Sequence, residues 1–207
     1  MDQSPIAKAK AELRERVRAA VRSMGEAAHR EASARICDLV VSTEAFSRAR
    51  TVVAFWALPG EPDVRGLMDE ASRRGVRICL PRVRGDQVEL VRIETVADPV
   101  RRSDLGVLEP VGGIVVSLDA VDLALVPGVA FDASGGRLGR GRGFFDRLLG
   151  GRAADCPVCG VCFAGAMVES VPMDAHDARV DAVATEAGVV GIRDESRGLW
   201  RTRAENR

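Results

Sequence analysis

An apolar run of strand length, Leu125-Val126-Pro127-Gly128-Val129-Ala130-Phe131-Asp132, turns at its Pro-Gly and gives way to a glycine loop carrying three arginines. That loop reads Gly135-Gly136-Arg137-Leu138-Gly139-Arg140-Gly141-Arg142-Gly143, and a helix is predicted from 144 to about 152. Glycines let backbone N–H groups approach an anion closely, and a helix N-terminus adds roughly half a positive charge. Arg137, Arg140 and Arg142 supply full charges on forked donors that match phosphate oxygens. Asp146, in the first turn of the helix, could hold a magnesium ion shared with that phosphate. The pattern therefore points to a polyphosphate site. No Gly-Lys-Ser/Thr follows, so it is not a Walker loop, and glycine at every second position favours an extended cradle over the tight dinucleotide turn. The plainer alternative is a flexible basic loop leading into an ordinary helix.

Strands and helices alternate through the rest of the chain. Ser4-Pro5 is a cap and first-turn signal, and Leu13, Val17, Ala20, Val21 and Met24 recur at helical spacing up to Gly25. Lys10, Arg14 and Arg18 line up four apart on a neighbouring face, which is a solvated basic face unless the helix lies against an anion. A second helix is expected from about 26 to 41. The uncharged run 51–57 predicts a strand covered on both faces, ending in Leu58-Pro59-Gly60-Glu61-Pro62-Asp63, a turn with two carboxylates. A helix through Val64, Leu67, Met68 and Ala71 stops at Gly75, and a strand 76–80 ending at Pro81 completes a βαβ unit.

Residues 87–93 alternate polar and apolar, as a half-exposed antiparallel or edge strand does. Residues 105–110 with Gly112-Gly113 read as a long loop, a length that is often functional. Residues 122–126 form the central strand that enters the opening motif. Beyond the glycine loop come a strand at 157–163, a short helix at 166–171, a loop at 176–181 and apolar stretches at 183–186 and 189–192. Residues 193–207 are charged and read as a frayed tail. This alternation predicts one α/β domain over 1–207, three-layered α/β/α and Rossmann-like, with a mostly parallel sheet and helices on both faces.

Acidic and basic residues balance at 30 each, which argues against a general nucleic-acid or membrane-surface binder, since those need a net positive field. No apolar run approaches the roughly 20 residues of a membrane-spanning helix and no signal peptide opens the chain, so a cytoplasmic location is expected. At 207 residues a chain buries about 70% of its unfolded surface and needs no disulfide or metal staple. Cys156, Cys159 and Cys162 form a Cys-x-x-Cys-x-x-Cys run that suggests metal. No fourth cysteine follows at ligand spacing, and the run coincides with a buried strand whose alternation sends Cys159 and Cys162 to opposite faces, so small buried hydrophobes are the better reading. His29 reads as a surface residue. His176, beside Asp177, is either a general base or the donor of a loop-ordering hydrogen bond. Local signals assemble no serine or cysteine triad.

The run 126–132 followed by Arg137-Leu-Gly-Arg-Gly-Arg-Gly-Phe-Phe-Asp146-Arg147 resembles the 5-formyltetrahydrofolate cyclo-ligase (methenyltetrahydrofolate synthetase) family. Lys10-Ala-Glu-Leu-Arg14 is similar to that family's N-terminal Lys-x-x-Leu-Arg, and Leu58-Pro-Gly-Glu61-Pro-Asp63 sits where it has a Glu-x-Asp/Glu turn. Leu80-Pro81-Arg82, Gly106-Val-Leu-Glu109-Pro110, His176-Asp-Ala-Arg-Val-Asp181 and Thr185-Glu186 follow in matching order, so the resemblance covers roughly 8 to 190. Three positions depart. The usual Tyr-Tyr before Asp146 is Phe144-Phe145 in a chain without tyrosine, a common glutamine is Ala166, and a frequent threonine is Val64.

The resemblance implies an ATP- and magnesium-dependent ligase that converts 5-formyltetrahydrofolate to 5,10-methenyltetrahydrofolate, releasing ADP and phosphate. It implies the fold shared with sugar-phosphate isomerases and CoA transferases. Carried over residue by residue, Lys10, Arg14, Arg137, Gly139, Arg140, Gly141, Arg142, Gly143, Phe144 and Phe145 would bind ATP, with Arg140 and Arg142 at the transferring phosphoryl group. Leu58, Glu61, Arg140 and Phe145 would bind folate, the Glu61 carboxylate accepting paired N–H bonds from the pterin edge. Asp146 and Asp181 would hold magnesium. Trp56 is either a stacking residue or core. The implied partner is a small molecule, with or without a polyglutamate tail; no nucleic acid or membrane is implied, and the chain would be a monomer or homodimer. Two rivals stand beside this reading. One is a family paralogue that binds nucleotide or RNA without ligase activity, against which the neutral charge and Glu61 argue. The other is an isomerase- or CoA-transferase-like enzyme with a catalytic glutamate and no need of three loop arginines.

Overall fold

The computed structural model describes residues 4–85, 87–103, 106–151, 155–192 and 198–202. Helix α1 (Pro5–Arg22) starts where Ser4 Oγ accepts from the Ala7 N–H at 3.2 Å, and it buries Leu13, Val17 and Val21. Helix α2 (Glu26–Ser42) and the short α3 (Glu44–Arg48) meet at Thr43, whose hydroxyl accepts from the Phe46 N–H. Strand β1 (Thr51–Val53), helix α4 (Arg65–Arg73) and strand β2 (Arg77–Arg84) make the expected βαβ unit, with β1 and β2 in parallel register. Then come β3 (Gln87–Ile93), β4 (Val100–Arg102), β5 (Leu108–Pro110), β6 (Val115–Val116), β7 (Leu123–Pro127), β8 (Ala130–Asp132) and β9 (Arg137–Leu138). Helix α5 (Phe144–Gly150), β10 (Val158–Val161), β11 (Met167–Val168), β12 (Ala182–Thr185) and β13 (Gly188–Gly191) complete the order.

The main sheet runs β13-β12-β10-β7-β1-β2-β3-β6. Its centre, β12 to β2, is parallel, and the flanking β13, β3 and β6 are antiparallel, so the mixed, mostly parallel α/β architecture matches the sequence reading. The chain steps from β1 to β2 in one direction and from β7 to β10 in the other. Helix α4 packs beside β2, and α5 lies against β3. The reversal falls between β1 and β7, and a crevice opens past the C-terminal ends of those two strands.

Several elements differ from expectation for identifiable reasons. Strand β2 continues through Pro81 to Arg84, because its pairing with β1 ends at Cys79 and Pro81 has a laddered neighbour only in β3, where a missing N–H is tolerated. The expected long loop at 105–113 contains β5, paired with β4 in a hairpin. The expected helix at 166–171 is a single turn, Ala164–Ala166, followed by β11, which pairs with β8. The predicted end of α5 at 152 lies outside the described residues, and the helix closes at Gly150. His29 is half-buried, its ring 4.6 Å from that of Phe163. Of the supposedly frayed tail, 198–202 is tied in: the Ala45 N–H donates to Leu199 O, Thr43 bridges to Thr202, and Trp200 is 8% exposed. The remainder of 193–207 lies outside the described residues.

All five cysteines are free and buried. Burial pushes the Cys37 and Cys79 thiols up to about 11 and Cys159 to about 12, with Cys162 also raised, so they behave as small hydrophobes.

The β8–β9 hairpin is held by one carboxylate. Asp132, 3% exposed, accepts from the Ser134 N–H and Oγ–H, the Gly136 N–H and the Val171 N–H, at 2.7 to 2.9 Å. Burial opposes ionisation there, but those four donors outweigh it and hold the carboxyl below its ordinary value. Beside it, the fully buried Phe131 ring fills a space left by two glycines. A Cβ on Gly160 would lie 2.3 Å from that ring, and one on Gly128 2.6 Å from it. A Gly160→Ala variant is therefore expected to lose about 2 kcal/mol through overpacking. Adding Phe131→Leu should return part of it, as read from urea unfolding midpoints.

Candidate active site

The crevice at the strand reversal is a cleft of about 280 Å3. Phe55, Trp56, Leu58 and Glu61 reach it from the chain after β1, and Pro127 and Gly128 from the end of β7. The glycine loop with Phe144, Phe145 and Asp146 also lines it. Leu58, Glu61 and most of the sequence-predicted phosphate residues thus line one cleft, while Lys10, Arg14 and Gly141 do not.

Glu61 is 6% exposed, and both its oxygens are engaged. Leu58 N–H donates to Oε2 at 2.9 Å, and Arg140 Nε donates to Oε1 at 2.7 Å. Arg140 Nη2 also donates to Pro59 O at 2.9 Å. Burial raises the Glu61 carboxyl above its ordinary value, with the Arg140 charge and the Leu58 N–H pulling the other way. Arg140, expected at the transferring phosphoryl group, is here a bridge between the glycine loop and the 58–61 turn. A carboxylate offers about four lone-pair sites, so Glu61 keeps acceptor capacity towards the cleft.

Arg137 is the least accessible of the three loop arginines, its side chain 2% exposed. Its Nη2 donates to Asp146 Oδ1 at 2.5 Å and its Nη1 to Pro127 O at 3.5 Å, while Nε has no partner among the described residues. An arginine so enclosed forms part of the cleft wall. Asp146 Oδ1 also accepts from the Ala178 N–H at 3.2 Å, and Oδ2 has no partner among the described residues. Gly141 and Gly143 have φ of 98° and 61°, a left-handed backbone that side chains disfavour. Since α5 has only seven residues, the site's positive charge comes from guanidinium groups more than from a helix dipole.

Helix α1 runs its basic face along this loop. Lys10 Nζ donates to Asp174 and Asp177 at 2.6 and 2.5 Å, Arg14 Nε donates to Gly139 O at 2.9 Å, and Arg18 lines the cleft. Burial lowers the Lys10 ammonium, but its two carboxylate partners more than reverse this, so its pKa is raised. Burial and the Arg18 charge lower that of Arg14. Lys10 does not line the cleft as the sequence suggested, whereas Arg18, one turn further along the same four-residue spacing, does. The Val107 and Leu108 side of the β4–β5 hairpin also faces the cleft; loop length and the family-like run 106–110 were its signals in sequence.

Asp181 is not beside Asp146 in the cleft. Its Oδ2 accepts from the Val158 N–H at the start of β10, and of the two expected magnesium ligands only Asp146 lines the cleft. Exposed His176 does not order its loop; Asp177 does, accepting from the Asp174 N–H and from Lys10. Ala166 is buried and Val64 is core. Trp56, half-buried, lines the cleft, which favours stacking over the core reading. Arg142, exposed in the loop, has no carboxylate partner among the described residues and is the free cation of the loop. This donor set suits a polyphosphate, and Asp146 Oδ2 suits a hard divalent cation.

The 5-formyltetrahydrofolate cyclo-ligase family model matches residues 6–186. The chain is 32% identical over 155 residues to 5-formyltetrahydrofolate cyclo-ligase from Mycolicibacterium smegmatis, covering 70% of this chain and 78% of that one. It is 30% identical over 156 residues to the Escherichia coli K12 cyclo-ligase, covering 68% and 80%. Its fold is similar to the NMR structure of Aquifex aeolicus 5,10-methenyltetrahydrofolate synthetase, with a TM-score of 0.80 and 34% identity over 89% of this chain and 93% of that one.

The Glu61–Arg140 pair gives a test of the site's internal electrostatics. Arg140→Ala leaves a buried carboxylate uncompensated and is expected to cost about 2 kcal/mol, reduced from the fully buried case because Arg140 is a third exposed. Coupling with Glu61→Gln in a double-mutant cycle should reach about 1 kcal/mol. Because Glu61's folded pKa is raised, its contribution is present below the ordinary value of 4.5 and is lost as pH rises through the folded value. Removing Arg140 should deepen that loss as pH rises above 4.5, and Glu61→Gln should remove it, as read by urea midpoints on either side of that value.

Proposed function

The chain belongs to the 5-formyltetrahydrofolate cyclo-ligase family and is a ligase, and from that premise we propose that it converts 5-formyltetrahydrofolate to 5,10-methenyltetrahydrofolate with hydrolysis of ATP to ADP and phosphate. The observation that supports this reading is that Glu61 and the glycine–arginine loop line one cleft and meet through Arg140. Glu61 suits a pterin edge and the loop a triphosphate.

A formamide oxygen is a poor leaving group, so it must be activated before ring closure. The formyl oxygen takes the terminal phosphoryl group of ATP, ADP leaves, and an iminium phosphate forms at N5. N10 then attacks the former formyl carbon, its proton is lost, and phosphate departs with the C–O bond, leaving the methenyl bridge. This chemistry requires no protein nucleophile, and the chain contributes position and charge. Arg142 and Arg18 neutralise the charge that spreads over the transferring group. Arg14 holds the loop by its bond to Gly139 O. Glu61, steadied by Arg140 and the Leu58 N–H, accepts from the pterin, and Phe55, Trp56 and Phe145 exclude water from the apolar part. Asp146 would hold magnesium through Oδ2, with Arg137 and the Ala178 N–H fixing Oδ1. The ion would supply further neutralisation of phosphate charge.

Among the described residues no helix is long and apolar enough to cross a membrane. Incubation with 5-formyltetrahydrofolate, ATP and magnesium is expected to generate the near-ultraviolet absorbance of the methenyl product, and EDTA should abolish it. Arg142→Ala should lower kcat about 100-fold. Absence of product, with nucleotide still bound, would instead favour the non-catalytic binding reading. An Arg142→Ala enzyme of undiminished kcat would remove that residue from the chemistry.

A further inference from the structure

Next to the catalytic cleft, and sharing Arg142 with it, lies a second groove of about 520 Å3. Its walls carry Arg101 and Arg102 from the β4–β5 hairpin and Arg142 and Arg147 from the glycine loop and α5. All four are exposed. None has a carboxylate partner within salt-bridge distance among the described residues. Arg102 Nη1 donates to Gly106 O and Arg147 Nη1 to Arg142 O, neutral acceptors that carry no counter-charge. Among the described residues one carboxylate, Glu109, lines the groove, opposite Arg101 in the hairpin register, but it is 1% exposed and its Oε1 accepts from the Val83 N–H. Four guanidinium groups around one concavity repel each other, and an arrangement that costs folding energy marks a place where an anion is received.

The reaction in the adjoining cleft, on the reading above, uses a substrate with two chemically different ends. The pterin belongs at Glu61. The other end is a glutamate, with two carboxylates in the free vitamin form and one more for each γ-linked residue added. The same β4–β5 hairpin presents Val107 and Leu108 to the cleft and Arg101 and Arg102 to the groove, so its apolar side adjoins the middle of the substrate and its basic side continues beyond it. We propose that the glutamate carboxylates of the folate substrate, and any γ-glutamyl extension, bind in this arginine groove. Arginine forks suit carboxylates two at a time, and Arg142 marks the junction between phosphate and glutamate chemistry.

The proposal rests on the folate reading, and its test separates the two. KM values for ATP, 5-formyltetrahydrofolate, its γ-linked triglutamate and 5-formyltetrahydropteroate, which lacks the glutamate, are compared in the wild type and in Arg101→Gln/Arg102→Gln. The same folates are titrated at equilibrium by quenching of tryptophan fluorescence, a readout that requires no turnover. In the wild type, affinity should rise from pteroate to monoglutamate to triglutamate. The double variant should raise KM and Kd for the monoglutamate about tenfold and erase the ordering, with kcat, KM for ATP and binding of the pteroate compound unchanged. Arg101→Lys/Arg102→Lys, which keeps the charge, should recover part of the loss. A monoglutamate affinity unaltered by the double variant would overturn the proposal. So would an equal loss for the pteroate compound, or a loss confined to ATP, which would make the groove a phosphate site. Wild-type protein that binds the folates in this order without forming product would keep the groove and refute the ligase reading.

Discussion

A guanidinium enclosed by protein needs a counter-charge within reach, and the site is built around one such need. Arg137 comes off β9 into the space between the end of β7 and the start of α5, where its partners are Asp146 and Pro127 O. The pair fixes where the glycine loop ends and where α5 begins. Replacing either member by a neutral residue would strand the other in a poorly solvated wall, which is the costly way to break a buried pair. With Arg137 paired to Asp146 and Arg140 to Glu61, Arg142 is the loop arginine left without a carboxylate partner among the described residues. Asp132 does the equivalent work one turn earlier, converting Ser134, Gly136 and Val171 into a rigid base for the hairpin.

The parallel core was legible because its strands are apolar runs separated by amphipathic helices, and the βαβ unit followed from Gly75 and the period of Leu67, Met68 and Ala71. The family motifs located the cleft for the same reason: they are local in sequence. What sequence left open was pairing at a distance. Nothing in Arg140 announces Glu61, and nothing in Lys10 announces Asp174 and Asp177, since each contact joins segments far apart in the chain. Short strands such as β8, β9 and β11 carry too few residues for a periodic signal, and they are held by tertiary hydrogen bonds instead. Asp181 shows the converse hazard. A residue in a matching motif can be occupied by a backbone N–H, here that of Val158, away from the chemistry the motif suggests.

Helix α1 has an unusual share in the site for an element outside the sheet. A basic stripe on a helix is most often solvated, but the three members of this stripe each act differently. Lys10 docks the 173–178 loop, Arg14 braces the glycine loop, and Arg18 reaches the cleft. The first turns of the chain and the glycine loop, distant in sequence, thus form one wall. The similarity to an Aquifex aeolicus methenyltetrahydrofolate synthetase extends over nearly the whole chain, as a site assembled from so many segments requires.

The bond from Arg140 to Glu61 joins the glycine loop to the 58–61 turn, so a ligand on one segment is thermodynamically coupled to a ligand on the other. A ligand that draws Arg140 away uncovers a buried carboxylate, and one that occupies Glu61 slackens the hold on the glycine loop. Free-energy linkage is reciprocal, so whatever one occupant does to the other's affinity is returned in the same measure. A single ion pair thereby acts as an interlock between two segments 79 residues apart in sequence.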